Sequence, residues 1–353
     1  MDLSENYNGQ PPPTPLVPMR FVEVLDRTFR IYRENFVTVI ILAAAVTIPI
    51  TLLGTVIREY QPDITTTSNN YSYSSSYSSS YQNEVFAWWG ILILVMLLNF
   101  FLQGVLLNGI VTYIASESHL GRKITIAEAF SAAKSRLGVL ALALFVFGII
   151  VGGLALVVTF TGIMCFIPLL FMPAVLYFGL LIYFFIFPVM MLERVGVFQG
   201  INRSIALGKI KFWRVLGFFF SLWLISLIIS IAFEVLVILA VGTTSYQTNP
   251  WYIVLNTIMS AFVAPILPIG FTVMYYDIRV RFEGLDFAFM LTKTQSSPRP
   301  ADVISPRPMS GLLTSQDVLN IVVLTGGSIA IGLVLFIGMM LLVWAMFSGA
   351  GSL

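Results

Sequence analysis

Apolar and polar positions follow a repeating order along the chain: a short amphipathic stretch, then long runs that contain almost no charge. Seven of these runs are apolar enough to cross a bilayer as helices, which takes about 20 residues each. They lie at 36–57, 86–114, 138–163, 167–192, 215–241, 251–276 and 319–347. The pattern therefore predicts an all-α polytopic helical membrane protein.

The stretch that precedes the first run has the spacing of a helix with one apolar face. That face consists of Phe21, Leu25, Phe29, Tyr32 and Phe36. On the polar side, Asp26 and Arg30 form an i,i+4 pair with the acid first, which is the favourable order. We interpret this stretch as a helix in the membrane surface that leads into the first span. The alternative is an ordinary soluble helix beside a membrane anchor.

Related amphipathic stretches precede the third and fifth runs, and a fourth follows the sixth run, where 283–289 matches 23–29 at four of seven positions. This repetition indicates six core spans in three pseudo-repeats, each with one interfacial helix and two spans, within residues 20–291. The other segments are a disordered Pro-rich tail at 1–19, an external Tyr/Ser-rich loop at 64–82, a Pro-rich cytoplasmic linker at 292–318 and a seventh transmembrane helix at 319–347.

Composition supports this class of protein. Hydrophobic residues make up 58% of the chain and charged residues only 10%, whereas soluble domains are about one quarter charged. A single cysteine excludes a disulfide framework. All lysines and arginines except Arg58 lie before the first run or after the second, fourth and sixth runs. The positive-inside rule then predicts a multi-pass plasma-membrane protein with a cytoplasmic N-terminus and a C-terminus outside.

Two sequences carry a resemblance to a known family: VLDRTFRIYRENF at 24–36 and YYDIRVRFEGLDFAF at 275–289. They resemble the two ends of a six-span membrane domain that is attached to some prokaryotic glycerophosphodiester phosphodiesterases and also occurs alone in uncharacterised membrane proteins. The resemblance covers roughly 20–291, and it implies a helical membrane domain linked to glycerophospholipid metabolism.

The enzymatic part of those proteins has no counterpart in this chain. The phosphodiesterase domain uses a histidine pair on a separate barrel, and such a barrel takes about 250 residues. This chain has one histidine and no soluble stretch of that length. We therefore expect no enzymatic activity, no cofactor and no metal site.

Four polar residues inside the predicted spans are candidate site residues. Glu234 is the one acid well inside a span, and such a carboxylate costs about 2.5–3.5 kcal/mol at mid-bilayer on insertion scales. Asn256 lies at a similar depth on the returning helix. Three interpretations of Glu234 stay open: a structural hydrogen bond to Asn256, a role in proton or substrate coupling, and exposure at the interface.

The other two polar candidates, Asn99 and Gln103, lie one turn apart on one face of the second span. They either join helices or bind a ligand. Prolines interrupt the fourth and sixth spans, at Pro168, Pro173, Pro188, Pro265 and Pro268. The resulting kinks either frame a midplane cavity or are simply tolerated there.

A second candidate group lies at the predicted cytoplasmic end of the sixth span. It comprises Tyr276, Asp277, Arg279 and Arg281, together with Asp26 and Arg30 of the first surface helix. We interpret this group first as a structural clasp, then as a contact for anionic lipid headgroups; the plainer alternative is that the charges only set the topology. His119 has no metal-ligand neighbours in the sequence and is interpreted as a solvated loop histidine.

Two functions remain open at this point. The leading hypothesis is a non-catalytic scaffold or accessory protein that binds lipids or a partner protein, membrane-bound or cytoplasmic, through its surface helices, and that binds no nucleic acid. It predicts a closed bundle with an exposed basic surface. The rival is a transporter or lipid translocator that uses Glu234 and the kinked fourth and sixth spans. It predicts a continuous polar-lined cavity at the midplane.

Overall fold

The structure is a computed structural model that describes residues 16–59, 79–165, 171–241, 250–291, 300–303 and 313–350. Every regular element in these ranges is helical. Six helical segments are long and apolar enough to cross a membrane: Phe36–Ile57, Val85–His119, Ile126–Gly162, Met172–Leu192, Phe212–Leu239 and Trp251–Glu283. The predicted all-α polytopic membrane fold is therefore confirmed.

The helices follow one another in the order of the predicted spans and surface stretches. The α-helices are α1 (Phe21–Glu34), α2 (Phe36–Glu59), α3 (Ser79–Asn99), α4 (Asn108–His119), α5 (Ile126–Phe147), α6 (Gly153–Cys165), α7 (Met172–Leu192), α8 (Val197–Ile210), α9 (Phe212–Val241), α10 (Pro250–Val263), α11 (Ile266–Glu283), α12 (Leu285–Leu291) and α13 (Ser315–Ala350). Two π-helical stretches, Phe100–Leu107 and Gly148–Gly152, join α3 to α4 and α5 to α6, and a short 3₁₀ helix lies at Pro300–Asp302.

Several boundaries differ from the predicted ones. The second surface stretch is not a separate helix, because α5 runs from Ile126 straight into the third span. It starts at a capping box, in which the Glu128 carboxylate accepts from the Thr125 amide and the Thr125 hydroxyl accepts from the Glu128 amide. The fourth span begins only at Met172, since Pro173 lies in the first turn of α7. Pro168 lies outside the described residues.

The helices α7 and α11, both largely buried, form the centre of the bundle together with the buried helix α4. The surface helix α8 packs antiparallel along α7, with Gly208 against Leu181 and Gly200 against Met190. In the same way α1 packs along α11. At one end of α1 the Tyr32 hydroxyl donates to the carbonyl of Phe262, at 2.9 Å. The surface helices therefore add a second layer around the central helices.

The buried stripe of α1 differs slightly from the predicted apolar face. Val24, Thr28 and Ile31 are fully buried, and the Thr28 hydroxyl donates to the Val24 carbonyl, at 2.7 Å. Four of the five predicted residues flank this stripe and are only partly buried: Phe21, Leu25, Phe29 and Tyr32. Phe36 is 40% exposed at the start of α2. A threonine can occupy the centre of the stripe because its hydroxyl is satisfied within the helix.

The predicted tail, loop and linker are described only in part. Met19, from the predicted tail, is held by side chains of the bundle, as shown below. Residues 79–82 of the predicted external loop form the first turn of α3, and 64–78 lie outside the described residues. In the predicted linker, Pro300 is buried and Val303 packs against the core. The predicted seventh span, 319–347, lies within α13.

Candidate functional site

A cavity of about 500 Å³ opens beside the first π-helix, in the second span. Its polar lining comes from Asn99 at the end of α3, Gln103 within the π-helix and Asn108 at the start of α4. Asn99 lies roughly 21 Å along the helix from Val85, where the span begins. A hydrocarbon core is about 30 Å thick, so this polar lining lies at membrane depth.

The π-helix explains why three amides face one cavity. Nine residues of a regular α-helix make about two and a half turns, so Asn108 would point away from Asn99. The wider π-helical turn between them changes this phase and brings Asn108 to the same side. Short π-helical stretches within α-helices occur frequently at functional sites. Asn108 was absent from the predicted site, because a regular helix was assumed.

The opposite wall of the cavity comes from two of the central helices. Tyr183 of α7 and Phe271 of α11 line it, together with Pro268. The chain is interrupted between α10 and α11 at Ala264 and Pro265, as the prolines predicted, because a proline has no amide hydrogen to donate. Two irregular helices thus face each other across the cavity.

The amides of the cavity differ in their hydrogen bonding. The Asn108 side chain donates to the carbonyl of Gly104, at 3.3 Å. Among the described residues, no group forms a hydrogen bond with the side chain of Asn99 or Gln103. Neither amide therefore joins two helices, and both are available to a molecule that enters the cavity.

Glu234 lies elsewhere, on the α9–α10 hairpin. The Tyr252 hydroxyl donates to the Glu234 carboxylate, at 2.9 Å, and accepts from the Asn256 side chain, at 3.2 Å. Of the three interpretations of Glu234, the direct bond to Asn256 is replaced by a bridge through Tyr252. Neither Glu234 nor Asn256 lines the cavity. Tyr252 was missed, although its i,i+4 spacing to Asn256 could have suggested it.

Most of the charge gathers at one end of the bundle, where α1 and α8 meet the last turns of α4, α7 and α11; we call this the charged end. Its centre is a buried network of Arg279, Arg203, Glu193 and Glu283, and Arg279 is only 1% exposed. Glu193 accepts from Arg203 at 2.9 Å and from the Tyr275 hydroxyl at 2.8 Å. Glu283 accepts from Arg279 at 2.9 Å.

The opposite charges in this network compensate each other. Burial disfavours the charge of Arg203, but the hydrogen bond to Glu283 and the charge of Glu193 outweigh burial and raise the pKa of Arg203. Two arginines face two glutamates, and each ion has partners of the opposite sign. Arg279 was a predicted site residue. Glu193 and Arg203 of the same network were not, because they belong to a different connection of the chain.

A second group at the charged end surrounds Asp277, whose carboxylate is fully buried. It accepts from Arg214 at 2.9 Å, from Arg281 one turn further along α11 at 3.3 Å and from the amide of Met19 at 2.8 Å. Arg214 and Arg281 also each donate to the Met19 carbonyl, at 2.7 Å. The side chains from α9 and α11 thereby clasp the backbone that leads into α1.

The clasp around Met19 leads to a prediction about the start of α1. Replacing Asp277 by alanine should free Met19 and the start of α1, because the three hydrogen bonds that its carboxylate accepts are lost. The arginines that remain are partly exposed and can be hydrated, so we expect the bundle itself to lose only about 1–3 kcal/mol. Limited proteolysis of the purified protein should show faster cleavage before residue 21 in D277A. Arg30→Ala is the matched control, and equal cleavage rates in the two variants would contradict the clasp.

The other predicted residues at this end, Asp26, Arg30 and Tyr276, are not part of the clasp around Met19. Asp26 and Arg30 form an exposed pair on α1, at 3.0 Å, with 67% and 51% of their side chains exposed. Pairs of this kind contribute about 0.3–0.5 kcal/mol. Tyr276 is buried, and its hydroxyl forms a hydrogen bond with the Ser116 hydroxyl, at 2.7 Å.

The interpretation of His119 as a solvated loop residue is wrong. The helix α4 continues to His119, which is 5% exposed and stacks on the Tyr276 ring with 4.7 Å between ring centroids. Arg27 of α1 donates to the backbone carbonyls of Ser118 and His119, at 3.4 and 3.2 Å. The contact with α1 buries this segment, and a prediction from local sequence could not include it.

The start of α13 docks on α7 and α8 through a buried carboxylate. Asp317 accepts from the Tyr177 hydroxyl at 2.5 Å and from Lys209 at 2.7 Å. Burial opposes its charge, but Lys209 and Tyr177 outweigh burial and lower the pKa of Asp317. One turn later, the Asn320 side chain accepts from the Trp213 indole, at 2.9 Å. The segment after the linker is therefore tied to α7, α8 and α9 by specific polar contacts.

These observations define the class of protein: an all-α, multi-pass integral membrane protein with a polar cavity at membrane depth and a charged end held by ion pairs. No protein-family model, curated protein or solved structure matches the chain. Its similarity to the six-span domain of the phosphodiesterases therefore stays a prediction. Among the residues that the structure describes, no cluster of three or more His, Cys, Asp or Glu side chains could hold a metal ion.

Proposed function

We propose that this chain is a non-catalytic integral membrane protein that binds the polar group of a lipid, or of a similar amphiphile, in the cavity beside the first π-helix. The observation that carries this proposal is the pair of amides at Asn99 and Gln103, which have no hydrogen-bond partner among the described residues. Inside a bilayer a polar group without a partner is costly. A bound polar group would remove that cost.

The lining of the cavity favours an amphiphile over a small polar solute. Beside the amides, the walls are apolar and aromatic, with Met96, Phe100 and Leu267 among them. A lipid offers both an ester or hydroxyl group for the amides and an acyl chain for these walls. Amides transfer no protons near neutral pH, so the polar lining supports binding and not acid–base catalysis.

The charged end also supports this choice. The scaffold hypothesis expected a closed bundle with an exposed basic surface. The bundle contains a cavity instead of being closed, and the basic side chains of Arg203 and Arg279 are buried against glutamates, whereas Arg33, Lys123 and Lys134 are exposed. These two arginines are occupied within the protein, and they offer no surface to a partner.

Translocation of the bound molecule is the second candidate function. It is favoured by the two irregular helices that face each other at the cavity, the π-helix at Phe100–Leu107 and the interruption at Pro265. Interrupted helices at the bilayer midplane are typical of transport sites. Glu234 has no part in this version, because it lies on the α9–α10 hairpin outside the cavity.

Native mass spectrometry of the full chain, extracted from its own membranes in mild detergent, tests the binding proposal. The double variant N99L/Q103L removes both amides and keeps the side-chain size close. Each intramembrane hydrogen bond is worth about 0.6–1.7 kcal/mol. The amount of lipid that stays bound should therefore fall roughly tenfold or more in the double variant. The control is Glu234→Gln, which changes a polar side chain of the membrane region outside the cavity.

Two results would contradict binding at this cavity: equal lipid retention in the wild-type chain and N99L/Q103L, or an equal loss in E234Q. Translocation is tested separately with a fluorescent phospholipid in reconstituted vesicles. Faster exchange between leaflets in wild-type vesicles than in N99L/Q103L vesicles would support it. Normal binding without exchange would reject translocation and leave the binding proposal in place.

A further inference from the structure

A second cavity lies at the charged end, apart from the cavity beside the π-helix. Its volume is about 260 Å³, and it is a partly open cleft lined by α4, α5, the end of α7 and Pro300. Its polar lining includes two guanidinium groups, of Arg136 and Arg194, and the hydroxyl groups of Ser131 and Ser135. None of these residues was among the predicted site residues.

The two arginines of this cavity differ from five others at the charged end. Each of five arginines there lies within 2.5–3.4 Å of a carboxylate: Arg122, Arg203, Arg214, Arg279 and Arg281. Among the described residues, no carboxylate forms a salt bridge with Arg136 or Arg194. Arg136 donates only to the carbonyl of Val195, at 3.5 Å, and it lies close enough to Arg194 for the two charges to repel each other.

The backbone of Arg194 gives an independent reason to regard its side chain as functional. Three helices of the charged end are followed by a residue with positive φ: Gly121 after α4, Gly284 after α11 and Arg194 after α7. Glycine adopts this conformation without strain, whereas a side chain there costs about 1–2 kcal/mol. Arg194, with a φ of 52°, bears that strain at the edge of the cavity.

We propose that this second cavity is a binding site for a phosphate-bearing anion, held by Arg136 and Arg194. Two unpaired guanidinium groups that repel each other are stabilised by an anion between them, and their N–H groups match the geometry of a phosphate. The Ser135 hydroxyl completes such a site with a neutral donor, whereas the Ser131 hydroxyl donates to the Glu128 carbonyl. The anion comes either from a lipid headgroup or from a soluble phosphate ester.

The one carboxylate in the cavity wall does not oppose this site. The Glu117 carboxylate lies 2.6 Å from the guanidinium of Arg122 and is largely neutralised by it. The cavity is larger than a phosphate group alone requires, and its other walls include the apolar side chains of Ala132, Met191 and Leu192. It therefore accommodates a phosphate with an organic substituent.

The test uses the full chain in nanodiscs and two variants, Arg136→Gln and Arg194→Gly. The second variant is informative because it relieves the positive φ and should keep the fold at least as stable as the wild type. Arg30→Gln removes an exposed arginine elsewhere and is the control. In the first arm, pyrophosphate and glycerol phosphate are titrated into nanodiscs of uncharged lipid, and binding is followed by thermal stabilisation.

In the second arm, the nanodiscs contain phosphatidylglycerol, and retained lipid is counted by native mass spectrometry. If the soluble phosphates stabilise the wild-type chain and bind both variants at least about tenfold more weakly, the ligand is a soluble phosphate. Retained phosphatidylglycerol that both variants lose would assign a lipid headgroup. If R136Q and R194G behave like R30Q in both arms, the proposal is overturned. Because both variants keep Asn99 and Gln103, this result leaves the proposal for the first cavity unaffected.

Discussion

Arg279→Ala is expected to lower the free energy of unfolding by about 3–5 kcal/mol, which is the usual cost of removing one partner from a buried ion network. Arg279 is 1% exposed, and it contacts Glu193 at 3.4 Å and Glu283 at 2.9 Å. Without it, two buried carboxylates share the single charge of Arg203. The Tyr275 hydroxyl also loses its donor from Arg279.

The measurement is the midpoint of thermal unfolding in detergent, followed by intrinsic tryptophan fluorescence and by size-exclusion chromatography. Arg30→Ala is the control, because Arg30 pairs with Asp26 on the exposed face of α1 and should change stability by less than about 1 kcal/mol. The unfolding midpoint of Arg279→Lys should lie between those of R279A and R30A, since lysine keeps the charge but lacks the planar guanidinium group. If R279A unfolds at the same temperature as R30A, the network does not hold the charged end together.

The second large effect is expected at Gly208, where α8 crosses α7. A β-carbon there would lie 3.1 Å from the Leu181 carbonyl oxygen and 3.2 Å from its Cα, both backbone atoms that cannot turn away. Gly208→Val should therefore push α8 from α7 and cost about 1–3 kcal/mol or more. Since α8 carries Arg203 and Lys209, the variant should also loosen the buried network and the docking of α13.

Gly138→Ala provides the control for this variant. Gly138 is also helical, but no atom lies within 4 Å of the position of its missing β-carbon. Alanine at this site should stabilise the protein by about 0.5–1 kcal/mol through helix propensity alone. The same thermal measurement compares the two. Equal midpoints for G208V and G138A would show that α8 and α7 are not in close contact.

Much of the membrane architecture follows from short-range pattern. Span length depends on runs of apolar residues, and an amphipathic helix depends on a period of 3.6, so both can be recognised without knowing the fold. The prolines at 265 and 268 likewise predicted an interruption in the sixth span, because the effect of proline is local. Asp277 and Arg281 could be paired because they lie one turn apart on α11.

The binding features depend on contacts between distant parts of the chain. Arg279 pairs with Glu193, which lies at the end of α7, and Asp277 holds the backbone of Met19. His119 was assigned to a loop because the contact with Arg27 that covers it is made by a different helix. Tyr252 bridges Glu234 and Asn256, and only the packing of α9 against α10 places it there.

By itself, the sequence determined that this is a multi-pass helical membrane protein, where its apolar helices lie and which polar residues occur within them. The tertiary structure decided which of those polar residues share a site. The π-helix moved Asn108 to the side of Asn99 and Gln103, and the left-handed turn at Arg194 carried its charge beside Arg136. The pattern of apolar and polar residues along the chain reflects the surroundings of each residue. A binding site depends instead on the rotational phase of the helices and on which helices meet. Those are set only when the whole bundle packs.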